Sequence, residues 1–98
     1  MVSHGSIITT GDLPFPLLVI SKDLYNSTGF VIACPIMKKK RKVPFEYYIE
    51  TPRVKGFVLI DNPRQLNLNS RGCFIKSEIS MGELIMVLDI YHSLFDYV

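Results

Sequence analysis

Lys38-Lys39-Lys40-Arg41-Lys42 sets five cationic side chains in a row. Lys and Arg at that density can neutralise successive phosphates of a nucleic acid, with a gain that falls as salt rises. The same run also fits a solvated loop, and as KKKRKV it matches a nuclear-localisation pattern of low specificity. Asp61 closes the apolar run Gly56–Ile60. A carboxylate there can take a proton as a general base or cap the following turn. Tyr25, Tyr47 and Tyr48 can stack on bases, although strand alternation turns one of Tyr47 and Tyr48 inward. His4 and His92 are of the residue type that general acid–base chemistry uses most often. His92 falls on the polar face of a C-terminal helix and reads as exposed, whereas no element places His4. Cys34 lies in an apolar run, where a thiol is inert core rather than a nucleophile.

These groups sit on a small scaffold. The chain has 98 residues and 11.2 kDa, which fits one domain over residues 1–98. Hydrophobic residues are 48% and charged residues 20%, so the chain can bury enough apolar surface to offset its ordering entropy. No apolar run approaches the ~18 residues of a membrane span. Met1–Gly5 has neither the basic nor the apolar region of a signal peptide. Cys34 and Cys73 form no CxxC, which argues against a zinc site, a redox motif or a disulfide framework. The expectation is a cytoplasmic protein with no metal, no cofactor and no membrane contact. Residues 1–76 hold all eleven Lys and Arg against five acids, while residues 77–98 hold four acids and no Lys or Arg. A basic body with an acidic end favours a polyanionic or acidic partner.

Short apolar or β-branched runs bounded by turn residues predict strands at Ser6–Thr10, Pro16–Ser21, Phe30–Ile36, Pro44–Glu50 and Gly56–Ile60, and alternation adds a last short strand at Cys73–Ile79. Pro35 is expected at a bulge or strand end. Asn26–Gly29 reads as a turn in which Gly29 takes positive φ, and Asn62–Gly72 as a polar, turn-rich connection. Ser80-Met81-Gly82-Glu83 fits a capping box. Leu84, Val87, Leu88, Tyr91, Leu94, Phe95 and Val98 then recur at helical spacing, predicting one amphipathic helix over residues 81–97. The fold class is mainly β with a C-terminal helix, in a small, strongly bent sheet or barrel.

Four segments in register carry a family resemblance. They are Pro16–Ser21, Leu24–Ile36 with its Thr28-Gly29 turn and Cys34-Pro35 corner, Pro44-Phe45-Glu46, and Gly56–Gly72 with Asp61, Arg64 and Arg71. Together they resemble the MazF/PemK (Kid) toxins of type II toxin–antitoxin systems. The resemblance implies an SH3-like barrel of the CcdB–PemK type and a homodimer. It implies a sequence-specific endoribonuclease, an mRNA interferase, that cleaves single-stranded RNA without metal, and an antitoxin partner whose acidic tail lies in the RNA groove. It nominates Asp61 and Arg64 as catalytic, and Lys38, Lys39, Lys40, Arg41, Lys42, Arg64 and Arg71 as RNA-binding. Arg64 and Arg71 can equally brace the turn or the dimer.

The chain also departs from that pattern. Phe15 stands where active relatives carry an Arg before the proline, Met37 where they carry a Thr, and Leu59 where one subgroup carries the Arg of an Arg-x-Asp pair. The loop before Pro16 is short. These departures keep a second reading open, a catalytically degenerate toxin-fold protein that binds antitoxin or RNA only. A CcdB-like gyrase poison ranks third, because Leu94–Val98 is aromatic but lacks that family's Trp-Gly-Ile tail.

Overall fold

The computed structural model describes residues 2–95. Seven strands form one curled half-barrel sheet, joined by two single-turn helices and closed by a C-terminal helix. They are β1 (Ser6–Thr9), β2 (Leu17–Val19), β3 (Phe30–Met37), β4 (Glu46–Glu50), β5 (Lys55–Leu59), β6 (Arg64–Asn67) and β7 (Phe74–Glu78). The helices are α1 (Asp23–Asn26), α2 (Leu68–Arg71) and α3 (Met81–Ser93). The order across the sheet is β4-β5-β3-β2-β1-β7, with β6 also paired to β3. All six predicted strands are present with shifted ends.

The sheet is organised by β3. Its first half pairs with β6, from Phe30↔Asn67 to Ala33↔Arg64, and its end pairs with β5 at Ile36↔Val58 and Met37↔Phe57. Pro35 lies inside the strand rather than at its end, paired with Leu17. The Ile36 N–H donates to Pro16 O on the β2 side, so alternation turns the Pro35 nitrogen to the other side. That is the gap where pairing passes from β6 to β5, so no ladder bond is lost.

Alternation gives the sheet two apolar faces. Ile7, Leu18, Ile20, Cys34, Ile36, Ile49, Val58 and Ile60 form one core, on which α3 lays Leu84 and Val87. Burying either side chain contributes roughly 1.5–3 kcal/mol. Ile8, Leu17, Val19, Val31, Ala33 and Leu66 form the other, covered in part by Leu13, Phe15 and Leu68. The N-cap half of the capping box forms: Ser80 Oγ accepts from the Glu83 N–H at 3.2 Å, while the Glu83 carboxylate meets the Ser80 hydroxyl at 3.4 Å. Leu94 is the C-cap of α3, and Phe95, expected on the buried stripe, is exposed. The predicted extension to residue 97, and Val98, lie outside the described residues.

Asn62–Gly72 is more ordered than its polarity suggests, since it contains β6 and α2. Gly29, at φ 93°, lets this segment close: its carbonyl accepts from the Leu68 N–H, and a Cβ there would collide with the Asn69 amide.

Candidate functional site

A cleft of about 530 Å³ is lined by Thr9, Pro16, Lys38, Arg53, Val54, Lys55 and Lys76. It lies where β1 and β3 end and β2 and β5 begin. Four cations line it and no carboxylate does. Each is placed by a local device. Lys38 follows directly on β3. Arg53 rides the β4–β5 turn, which is pinned by Thr51: its N–H and hydroxyl both donate to Val54 O, and its hydroxyl accepts from the Val54 N–H. Lys55 opens β5. There Gly56 allows close approach to β3, because a Cβ would stand 2.6 Å from Met37 O. Lys76 is the extra residue of a β-bulge, between the pairs Ile7↔Ser77 and Ile8↔Ile75. A bulge of this kind re-aims a side chain out of the regular alternation.

Two depressions adjoin the cleft and share its cations. One, of about 330 Å³, is lined by Lys38, Tyr48, Lys55 and Gly56. The other, of about 510 Å³, contains Arg53 and Lys76 with Ser3, Ser6, Ile75, Ser77 and Glu78. The three make a track that starts at the Tyr48 ring, passes four cations and ends among three serines beside the Glu78 carboxylate. Tyr48 is exposed and rests against Phe57 at 5.1 Å between ring centroids, whereas Tyr47 packs against the core. A cationic groove with an exposed ring fits a single strand, whose backbone it can neutralise and whose bases it can stack.

The five-cation run divides. Lys38 enters the cleft, while Lys39 and Lys42 are exposed and pair with no carboxylate among the described residues. Lys40 and Arg41, expected to face phosphate, are instead held by Glu46. Its side chain is 1% exposed and lies 2.6 Å from Arg41 Nε and 3.7 Å from Lys40 Nζ. The Arg41 backbone N–H also donates to both Glu46 oxygens. Burial pushes the Glu46 pKa up, but Arg41's side-chain and backbone bonds and the Lys40 charge outweigh it and hold the group below its ordinary value. The Arg41 guanidinium spans onward to Asp61 Oδ1 at 2.6 Å. That contact first, and Glu46 second, raise the Arg41 pKa.

Asp61 therefore sits in an ion pair. It also lies beyond the far end of β5 from Lys55, roughly 20 Å along an extended strand. Beneath it Cys34 is buried, and burial together with the Asp61 charge pushes its thiol up to about 12. That is the inert core thiol its sequence context suggested.

Arg64 pairs with no acid among the described residues. Its guanidinium carbon stands 5.2 Å from the centroid of the Phe15 ring, a cation–π contact. Phe15 precedes Pro16, so Arg64 and the cleft flank one dipeptide. Arg71 is bound to Asp12, with Nη1 2.9 Å from Oδ2. Leu59 is core, 5% exposed, and Tyr25 accepts a hydrogen bond from the Gln65 amide at 2.7 Å. Among the described residues no cluster of His, Cys, Asp and Glu could hold a metal ion, and no helix is long and apolar enough to cross a membrane.

Arg53, Lys55 and Lys76 were not singled out from the sequence. Each is an isolated cation, and the usable signals were indirect: the Thr51-Pro52 turn before Arg53, and the position of Lys76 directly after the apolar pair Phe74-Ile75.

The model of one family, the PemK-like, MazF-like toxins of type II toxin–antitoxin systems, matches residues 10–88. No curated protein matches the chain by sequence. Among solved structures, a MazE–MazF complex from Deinococcus radiodurans (crystal form I) superposes with a TM-score of 0.86 at 30% identity, covering 96% of this chain and 95% of that one. MazF alone from the same organism superposes at 0.83 with 28% identity, covering 96% of each chain. An endoribonuclease in complex with its cognate antitoxin, from a mycobacterial species, shares the fold at 0.84 with 18% identity, covering 100% of this chain and 98% of that one.

Proposed function

The chain belongs to the PemK-like, MazF-like toxins of type II toxin–antitoxin systems, and from that premise we propose that it is a cytoplasmic, metal-independent endoribonuclease of single-stranded RNA, one toxin domain over residues 1–98. The observation that carries this reading is the acid-free cleft of Lys38, Arg53, Lys55 and Lys76, continued by the Tyr48 ring. Phosphates of an extended strand run past the cations, and a base stacks on Tyr48. The 2′-oxygen loses its proton and bonds to the adjoining phosphorus, the P–O5′ bond breaks to leave a 2′,3′-cyclic phosphate, and the 5′-oxygen takes a proton from water. Arg64, unpaired and held on Phe15 beside the cleft, is the cation assigned to the crowded phosphate. Asp61 is assigned the 2′-hydroxyl proton, for which its carboxylate must part from Arg41 and the strand must reach past the end of β5, roughly 20 Å from Lys55.

That last requirement favours the second reading, a toxin-fold protein that binds RNA without cutting it. Incubation of a long unstructured RNA with the protein in excess EDTA, read by gel and primer extension, separates the two. Discrete cuts that vanish in Arg64→Ala and in Asp61→Asn support the nuclease and both roles. Cuts that survive Asp61→Asn remove Asp61 from the chemistry. RNA that is bound but intact establishes the binding reading, and RNA that is neither bound nor cut by folded protein overturns both.

MazE-bound MazF among the similar structures supports an antitoxin partner. An acidic antitoxin tail matches the charge of the cleft and is expected to compete with RNA there. A homodimer is supported by β7. Among the described residues it pairs only with β1, and it exposes Phe74 and Ile75, 70% and 45% accessible, the kind of edge that a second copy covers.

A further inference from the structure

A separate cavity of about 430 Å³ lies between the last turns of α3, β2 and α1, and it shares no residue with the track. Its volume falls within the ~300–1,000 Å³ typical of small-ligand pockets. Ile20, Ile32 and Leu88 give it an apolar floor, and four rings surround that floor: His4, Tyr25, Tyr91 and His92. The N-terminal segment is held here because the His4 N–H donates to Asp23 Oδ1 at 2.8 Å. This bond occupies one oxygen of Asp23, which does not line the pocket.

The polar lining groups divide by whether they are already engaged. Ser21 Oγ accepts from the Ile32 N–H and donates to Asn26 Oδ1, and Tyr25 accepts from Gln65. The Lys22 ammonium, both imidazoles and the Tyr91 hydroxyl make no hydrogen bond among the described residues. The free ionisable groups that line the space can each carry positive charge or donate, and none is a carboxylate.

We propose that this pocket is a second ligand site, for a small planar aromatic anion: a flat ring lying among Tyr25, Tyr91 and the two imidazoles, with its phosphate or carboxylate reaching Lys22. Ring–ring contact and burial on the apolar floor supply the attraction for the flat part. A charge-assisted hydrogen bond to the ammonium selects the anion.

The test is a titration of isotope-labelled full-length protein, followed by amide chemical shifts. The probes are adenosine 5′-monophosphate and indole-3-acetate, which place the anion on a phosphate or a carboxylate. Adenosine and inorganic phosphate serve as half-ligands. Saturable shifts at Ser21, Tyr25, Leu88 and Tyr91 are expected with at least one probe, and which probe binds identifies the anion. The half-ligands should bind about tenfold more weakly or less, the loss that goes with one charge-assisted hydrogen bond. Lys22→Ala should weaken the anion about tenfold for the same reason, and Lys22→Glu should weaken it further. Lys22 is exposed, and its side chain makes no cap hydrogen bond to α1, so both variants should fold. Four results overturn the proposal. They are no saturable shift with either probe, equal binding of adenosine and its monophosphate, shifts confined to Lys38, Arg53, Lys55 and Lys76, and ligand-free shifts at the pocket that track protein concentration, which would assign it to a second copy.

Discussion

Two sets of cations of equal chemistry meet different fates in this molecule. Lys40 and Arg41 are adjacent in the most charged stretch of the chain, yet Glu46 and Asp61 neutralise them. Lys38, Arg53, Lys55 and Lys76 are spread over the sequence, yet they converge on one cleft with no acid in its lining. A buried carboxylate recruits the nearest guanidinium because its desolvation has to be offset by a partner, and a cation used in that way is withdrawn from any external phosphate. Charge density along the chain is therefore a poor guide to a binding surface. The balance of charge at one place in space is the better one.

The sharpest way to break this contrast is to remove the cleft cations together. Lys38→Ala with Lys55→Ala and Lys76→Ala should weaken single-stranded RNA binding by about 3 kcal/mol, roughly a hundredfold, at low salt. The slope of log K against log salt should become shallower by about 0.7 for each phosphate that the protein no longer neutralises. Melting should change little, because these side chains are exposed and pair with no acid among the described residues. An affinity within a few-fold of the parent would show that RNA does not use the cleft.

The paired set should behave in the opposite way. Arg41→Met leaves the buried Glu46 with Lys40 at 3.7 Å and the retained backbone N–H of position 41. Removing one partner of a fully buried pair costs about 3–5 kcal/mol. Arg41 is 37% exposed, so a loss of about 2 kcal/mol is expected, close to 10 °C in Tm for a chain of this size. RNA affinity should stay within about threefold, the small effect expected of a cation already neutralised. The pH dependence follows from the same pair. The folded pKa of Glu46 lies below its ordinary 4.5, so the pair's stabilisation is complete above that value and is lost as pH falls through the folded pKa. In denaturant melts the parent should lose stability below about pH 4.5 more steeply than Arg41→Met does. Parallel pH profiles would remove the Arg41–Glu46 pair as a source of acid sensitivity.

How much of this was legible depends on the range of each signal. The α3 start was readable because Ser80 and Glu83 announce it within four residues, and the strands from Ser6 to Ile60 because their apolar runs and bounding turns are local. β6 was hidden because Arg64-Gln65-Leu66-Asn67 offers one apolar residue, and it is a strand only because β3 provides a partner edge. The cleft was hidden for a related reason. Lys76 points into it through a bulge whose register is set by β1, which no window of sequence around Lys76 contains. Conversely, the run at Lys38–Lys42 was conspicuous, but its division into a cleft cation, two anchored cations and two solvated ones depends on Glu46 and Asp61 across the fold.

Lys39 and Lys42 belong to neither set, being unpaired among the described residues and outside the cleft lining. Their joint replacement by Ala should reduce RNA affinity by no more than about threefold, an effect of general field rather than direct pairing. A reduction matching that of the cleft variant would extend the RNA path over the β3–β4 loop.

The smallest expected effect probes the contrast from the other side, by turning a paired cation into a free one. Arg71 holds Asp12 at 2.9 Å across the surface, with both side chains partly exposed at 31% and 53%. Such a pair contributes little to stability, so Asp12→Asn should leave Tm nearly unchanged while freeing one guanidinium. If pairing is what removes a cation from phosphate binding, freed Arg71 should neutralise one more phosphate wherever RNA passes it, and the salt slope should steepen by about 0.7. Arg71→Ala in the Asp12→Asn background should return the slope to the parent value. An unchanged slope in Asp12→Asn, with the cleft variant showing its full effect, would mean that position and not pairing excludes Arg71. The RNA path would then stop short of α2 and be confined to the track between Tyr48 and Lys76.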